Sequence, residues 1–318
     1  MSSPLLIALP SKGRLKEQTE AWLADCGFGL EMAGGARGYR AAVKGVAGAE
    51  AALLSSSDIA AALEAGDVHL GVVGEDLLRE RGDDVDERVA LLQPLGFGHA
   101  DLVVAAPQSW IDVQGMADID AVAMAYLART GRRMRVATKY GVQTRAFFAR
   151  HGIADYRIVE SSGATEGAPA AGAAELIVDI TTTGATLLAN GLRPVADGVI
   201  LRSQAHLAAS LTAPWTRAGL AAARRMAQVI EAKARARGLV EFNWPTEQAG
   251  MAEAATGAFL EGGASRRPNG LLADRRDLFD VAGALGAAGV GPVSIARPDY
   301  VFHADCPSID ALARRLDL

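Results

Sequence analysis

The chain is poor in cysteine, with two residues, Cys26 and Cys306, in 318. Two are too few for a disulfide framework and their spacing suits no metal, so a reducing setting is expected. No stretch approaches the roughly 18 consecutive apolar residues that cross a bilayer. Met1–Pro10 has no basic leader and its apolar run is too short for a signal peptide, so a cytoplasmic, soluble protein is expected. Positive charge is not in surplus: the formal net charge is -5, which argues against a chain-wide nucleic-acid footprint and leaves only local basic clusters to hold small anions. The five histidines (His69, His99, His151, His206, His303) form no ligand cluster. No Ser–His–Asp or Cys–His arrangement stands out for nucleophilic catalysis.

Half of the residues are hydrophobic and 22% are charged, enough to bury a sizeable core, and the length suits two or three domains. Short apolar runs alternate with amphipathic stretches. Strands are expected at Leu5–Leu9, Ala51–Leu54, Val68–Val73, Leu102–Ala106, Met134–Ala137, Arg157–Glu160, Leu176–Ile180 and Val195–Arg202. Helices are expected between them, at about Lys12–Asp25, Asp58–Ala65 (with Asp58 as its cap), Ala121–Arg129 and Thr144–His151, and a long one at Trp215–Arg237. Such alternation predicts an α/β architecture with mainly parallel sheets. After Gly238 a small α+β module is expected, in which Gly262–Gly270 reads as a loop.

The stretch most informative about chemistry runs from Glu166 to Leu187. Leu176-Ile177-Val178 forms a strand ending at Asp179, and Thr181-Thr182-Thr183-Gly184-Ala185-Thr186 forms a small-residue loop into a helix at Leu187. Backbone N–H groups at such a junction, with the positive end of the helix dipole, suit a phosphate. The threonine hydroxyls add donors, and Gly184 permits a positive φ or close approach of a ligand. Asp179 is placed to accept hydrogen bonds from sugar hydroxyls. The plain alternative is a hydroxyl-capped helix start.

The flanking residues extend this pattern. Glu166, Gly172, Ala174, Ile177, Asp179, Ile180, Thr183, Gly184, Thr186 and Leu187 fall in register with a signature that resembles the ATP phosphoribosyltransferase family. Ile7–Leu15, with its basic turn Lys12-Gly13-Arg14, Asp67–Asp76 and Arg135–Tyr140 followed by Thr144-Arg145 are similar to three further segments of that family, in the same order. The resemblance covers roughly residues 5–212.

The resemblance implies an α/β, bilobal, type II periplasmic-binding-protein-like catalytic core plus a small divergent C-terminal α+β module. The expected boundaries are residues 1–99 plus 182–212 for lobe I, 100–181 for lobe II, and 213–318 for a linking helix and the module. It implies condensation of ATP with phosphoribosyl pyrophosphate to N1-(5-phosphoribosyl)-ATP and pyrophosphate, with Mg²⁺. Attack by adenine N1 with pyrophosphate leaving needs no protein nucleophile, so positioning and charge neutralisation suffice.

Under that reading Asp179, Glu166, Lys12 and Arg14 are the catalytic candidates. Asp179, Thr182, Thr183, Gly184, Ala185 and Thr186 would bind phosphoribosyl pyrophosphate. Lys12, Arg14, Gly74, Asp76, Lys139, Thr144 and Arg145 would meet ATP. The competing readings are a helix-start carboxylate for Glu166, solvated charges for the basic residues, and mere turn support for Asp76. No metal-ligand cage is expected. The resemblance also implies an L-histidine inhibitor, a homo-oligomer (dimer or hexamer) and, for members without a regulatory module, a separate regulatory subunit. A non-catalytic bilobal binding or sensor protein is the alternative class, since the lobes alone would fit it.

Overall fold

The computed structural model describes residues 4–32, 40–161 and 163–318. Two compact units are present, Met1–Gly219 with Leu312–Leu318, and Leu220–Ala311. The larger opens with β1 (Leu5–Pro10), α1 (Gly13–Asp25), β2 (Gly29–Met32), β3 (Arg40–Lys44), β4 (Ala49–Leu54), α2 (Ser56–Ala65), β5 (Leu70–Gly74), α3 (Glu75–Arg79), α4 (Val85–Arg88) and β6 (Val89–Pro94). The all-apolar β1 takes the centre of a sheet, pairing in parallel with β4 and with β5, as strands buried on both faces do. Ile59, Leu63, Val68, Val73 and Leu78 pack beneath it. Ser55, rather than the expected Asp58, caps α2: its hydroxyl accepts the Asp58 N–H at 3.2 Å.

The second lobe comprises β7 (Ala100–Pro107), α5 (Met116–Thr130), β8 (Met134–Thr138), α6 (Gly141–Arg150), β9 (Tyr156–Glu160), β10 (Leu176–Thr181), α7 (Ala185–Ala189) and β11 (Leu192–Ser203). Its sheet runs β11-β7-β10-β8-β9 around a core of Leu102, Val104, Met116, Phe148, Leu176 and Val178. The chain then returns to the first sheet as β12 (Ala205–Ser210), which lies antiparallel between β5 and β6.

These pairings bear out the bilobal α/β expectation and correct two details. The sheets are mixed rather than mainly parallel, because β7, β11 and β12 run against their neighbours. The return to lobe I falls at Ser203–Ala205 and not at residue 182, because β11 stays paired with β7 up to Ser203↔Ala100. The two crossing segments are bonded to each other: Leu95 donates to the Ala205 carbonyl and Ala205 to that of Phe97, at 2.9 and 3.0 Å.

In the smaller unit, α8 (Arg217–Ala236) leads to β13 (Leu239–Asn243), α9 (Ala249–Glu261), β14 (Ser265–Arg267), β15 (Gly270–Asp274), α10 (Leu278–Ala287) and β16 (Ser294–Ala296), ahead of α11 (Pro307–Arg315). Its antiparallel sheet, β14-β15-β13-β16, packs Val240, Phe242 and Leu271 against Ala252, Val281 and Leu285 of the helices. The stretch expected to be a loop, Gly262–Gly270, contains β14, which pairs with β15 so that Arg267 lies opposite Gly270.

Candidate active site

Asp179 sits near the carboxyl end of β10, opposite Val103 of β7. Beyond it the chain turns through residues 182–184. Gly184, at φ +75°, holds a left-handed conformation that costs other residues energy, and a Cβ there would meet nothing within 4 Å. The Thr181 hydroxyl accepts the Gly184 N–H at 2.9 Å, and the Thr182 hydroxyl donates to the His99 carbonyl at 3.2 Å, tying the loop to the crossing segment. Asp179, Thr182, Thr183, Ala185 and Thr186 all line one cavity of about 290 Å³, joined by Glu166 from the single turn Thr165–Gly167. The helix after the loop has only five residues. The dipole expected from it is therefore small, and the donors of this site are local amides and hydroxyls.

Burial pushes the Asp179 carboxyl above its ordinary range, and the nearby charge of Glu166 adds to the push. The Ile180 N–H, the positive charge of Lys139 and the Thr165 hydroxyl oppose it. A negative charge is thus held half-buried among incomplete partners, next to another carboxylate. Such a group gains from a ligand that brings hydroxyls or a cation.

Lys139 follows β8, with its ammonium 4.9 Å from the Tyr140 ring centre. Its positive charge acts on Asp179. Lys12 and Arg14 are exposed at the start of α1 and carry no ion pair among the described residues. That helix adjoins the crossing segment next to His99, since a Cβ on Gly98 would meet Leu15 Cδ1 at 3.1 Å. Arg145 is exposed on α6.

Three residues expected to meet ATP, Thr144, Asp76 and Gly74, are held in a packed, hydrogen-bonded group. Thr144 is fully buried, and its hydroxyl donates at 2.5 Å to the carbonyl of Tyr140, the residue that precedes its helix. Asp76 is 7% exposed and both of its carboxylate oxygens are already engaged: Oδ2 accepts from the Tyr140 hydroxyl at 2.7 Å, Oδ1 from the Ser203 hydroxyl at 2.9 Å. Gln143 completes the group by donating to the Asp76 carbonyl at 2.9 Å. Gly74 makes room for this arrangement, because a Cβ there would lie 2.3 Å from Asp76 Oδ1. Burial, with Asp76 beside it, pushes the Tyr140 phenol far above its ordinary range, so it remains a donor. Asp76 thus ties the end of β5 to the β8–α6 junction and to the return crossing. Tyr140, Gln143 and Ser203 were not among the sequence candidates. Their separations from Asp76, 64, 67 and 127 residues, leave no local signal to find.

Comparison with known proteins bears on this geometry. The profile of the family HisG, ATP phosphoribosyltransferase, matches residues 55–232. A protein of Caulobacter vibrioides named ATP phosphoribosyltransferase is 65% identical over 316 residues, 99% of each chain. One of the same name from Bradyrhizobium diazoefficiens is 50% identical over 325 residues, covering 99% of this chain and 100% of its own. Among solved structures, a chain of the ATP phosphoribosyl transferase (HisG:HisZ) complex from Thermotoga maritima matches in fold with a TM-score of 0.54 and 24% identity, over 71% of this chain and 98% of that one. The profile spans more than half of the sequence and the relatives align almost end to end. The chain therefore belongs to the ATP phosphoribosyltransferase family, glycosyl-transferring enzymes of the first step of histidine biosynthesis.

Proposed function

We propose that the cavity at the end of β10 is where the sugar donor, phosphoribosyl pyrophosphate, binds for attack by N1 of ATP. The observation that carries this is the convergence of Asp179, Glu166, Thr182, Thr183, Ala185 and Thr186 on one cavity of about 290 Å³. Loop amides and the threonine hydroxyls receive the 5′-phosphate, and Asp179 accepts the ribose hydroxyls. Glu166 orients the ribose from the facing turn. Lys139, with Lys12, Arg14 and Arg145, supplies positive charge for ATP and for the departing pyrophosphate. The protein contributes alignment of the two substrates and neutralisation of the leaving group.

The donor set fits a hard divalent cation carried mainly by substrate phosphates, since Asp179 and Glu166 present carboxylate oxygens to a single cavity. Mg²⁺ bound there would neutralise charge on the diphosphate as it leaves. No helix among the described residues is long and apolar enough to cross a membrane, and we place the enzyme in the cytoplasm with its small-molecule substrates. The solved Thermotoga relative is a HisG:HisZ complex. For this chain we assign the regulatory role to its own Leu220–Ala311 unit, with L-histidine as inhibitor and a homo-oligomer as the working assembly. The separate subunit is the competing arrangement.

The test is to incubate the purified chain with ATP, phosphoribosyl pyrophosphate and Mg²⁺ and to identify products by mass, with and without L-histidine. The expected products are phosphoribosyl-ATP and pyrophosphate, made without any added subunit and suppressed by histidine. A chain inactive until a second protein is supplied contradicts the self-contained assembly, and no histidine effect contradicts the assignment of the module.

A further inference from the structure

A second cavity, of about 600 Å³, opens on lobe II and shares no lining residue with the one at Asp179. It is lined by Arg132, Arg133, Arg135 and Arg157, with Tyr126 alongside. Arg135 is the second residue of β8 and Lys139 follows its last, so about 13 Å of extended strand separates this cavity from the cation nearest Asp179.

The charge arrangement is unusual for a sheet. Arg135 and Arg157 are register partners on the adjacent strands β8 and β9, a placement in which like charges repel. One carboxylate relieves it: Glu175 accepts from Arg135 Nη2 at 2.6 Å and from the Tyr126 hydroxyl at 3.0 Å. Burial alone would raise the Glu175 carboxyl, yet Arg135 and Tyr126 hold it below its ordinary range. That pair is complete, and it leaves Arg132, Arg133 and Arg157 exposed without an ion pair among the described residues. Three unpaired guanidinium groups therefore border one concavity on a protein whose net charge is -5. Guanidinium forks match phosphoryl oxygens in geometry as well as in charge. The cavity's volume lies in the range of small-molecule sites, and the chain's negative charge disfavours a nucleic-acid polymer.

We infer that this cavity is a second anion site, for a small molecule bearing two or more linked phosphoryl groups, separate from the catalytic pocket. The experiment is calorimetric titration of the full chain with tripolyphosphate, inorganic phosphate and CTP, repeated on R132A/R133A/R157A. The wild-type chain is expected to bind one more tripolyphosphate than the variant, and inorganic phosphate at least tenfold more weakly. CTP binding more tightly than tripolyphosphate identifies a nucleotide as the ligand; equal binding identifies the oligophosphate alone. Arg157→Gln, which removes one charge, is expected to weaken the extra site roughly tenfold. Equal stoichiometry in wild type and triple variant, or unchanged affinity in Arg157→Gln, overturns the proposal. A triple variant that keeps its fold but changes oligomeric state in sedimentation also overturns it, since the arginines would then face another subunit.

Discussion

Asp179 and Asp76 occupy comparable places: Asp179 lies in the carboxyl half of β10, ahead of the five-residue α7, and Asp76 lies just beyond β5, in the first turn of the five-residue α3. Their surroundings differ. Asp76 is buried with both oxygens satisfied by hydroxyls from distant parts of the chain. Asp179 faces a cavity with its charge only partly offset, beside Glu166. A carboxylate supplied with all its donors does structural work, whereas one left short of them is ready for a ligand. Position on the sheet alone does not separate the two aspartates; burial against distant hydroxyls for Asp76, and exposure to a cavity beside a second carboxylate for Asp179, do.

The sharpest way to break this comparison is to remove the charge from each. Asp179→Asn is expected to lower kcat/KM by about 100-fold or more, as loss of a transition-state contact does. The same variant is expected to melt higher than wild type. The folded-state carboxyl is raised, so between its unfolded and folded values the native state binds more protons and stability falls as pH rises. The gain from Asn is therefore present at neutral pH and vanishes on acidification below the ordinary carboxylate range, which a melting series against pH checks. Asp76→Ala should do the reverse. It strands the buried Tyr140 and Ser203 hydroxyls at a cost of about 3 kcal/mol, read from denaturant unfolding.

The glycines sharpen the contrast. Gly74→Ala is expected to cost about 2 kcal/mol, because the new methyl displaces the Asp76 carboxylate from its donors. Gly184→Val has open space around it and suffers only backbone strain, about 1–2 kcal/mol. Its effect should appear in phosphoribosyl pyrophosphate binding and turnover more than in melting. A change of similar size, about 1.5–2 kcal/mol of stability, is expected for Tyr140→Phe, which takes one donor from the buried Asp76 carboxylate and keeps the fold and the cavity.

What could be read from the sequence follows the same division. The Asp179 loop is local: strand, small residues, glycine and hydroxyls lie within the eleven residues Leu176–Thr186, and the structure brings Asp179 and the threonines to one cavity with Glu166. The central strand β1 was legible because its run is wholly apolar. β12 was not, since Ala205-His206-Leu207-Ala208-Ala209-Ser210 is rich in small residues with weak strand preference and gains its place from β5 and β6 on either side. The lobe boundary at 182 failed for a related reason: only the pairing of β11 with β7 holds residues 192–203 in the second lobe. The burial of Thr144 and Asp76 was not legible, because a motif reports which residues are near one another in the chain, not which way each side chain turns.

The most direct measurement is a crystal structure of the chain with phosphoribosyl pyrophosphate bound. The expected result places the 5′-phosphate against the amides and hydroxyls of residues 182–186 and the ribose hydroxyls on Asp179. A donor seated elsewhere, with that cavity left empty, contradicts the account.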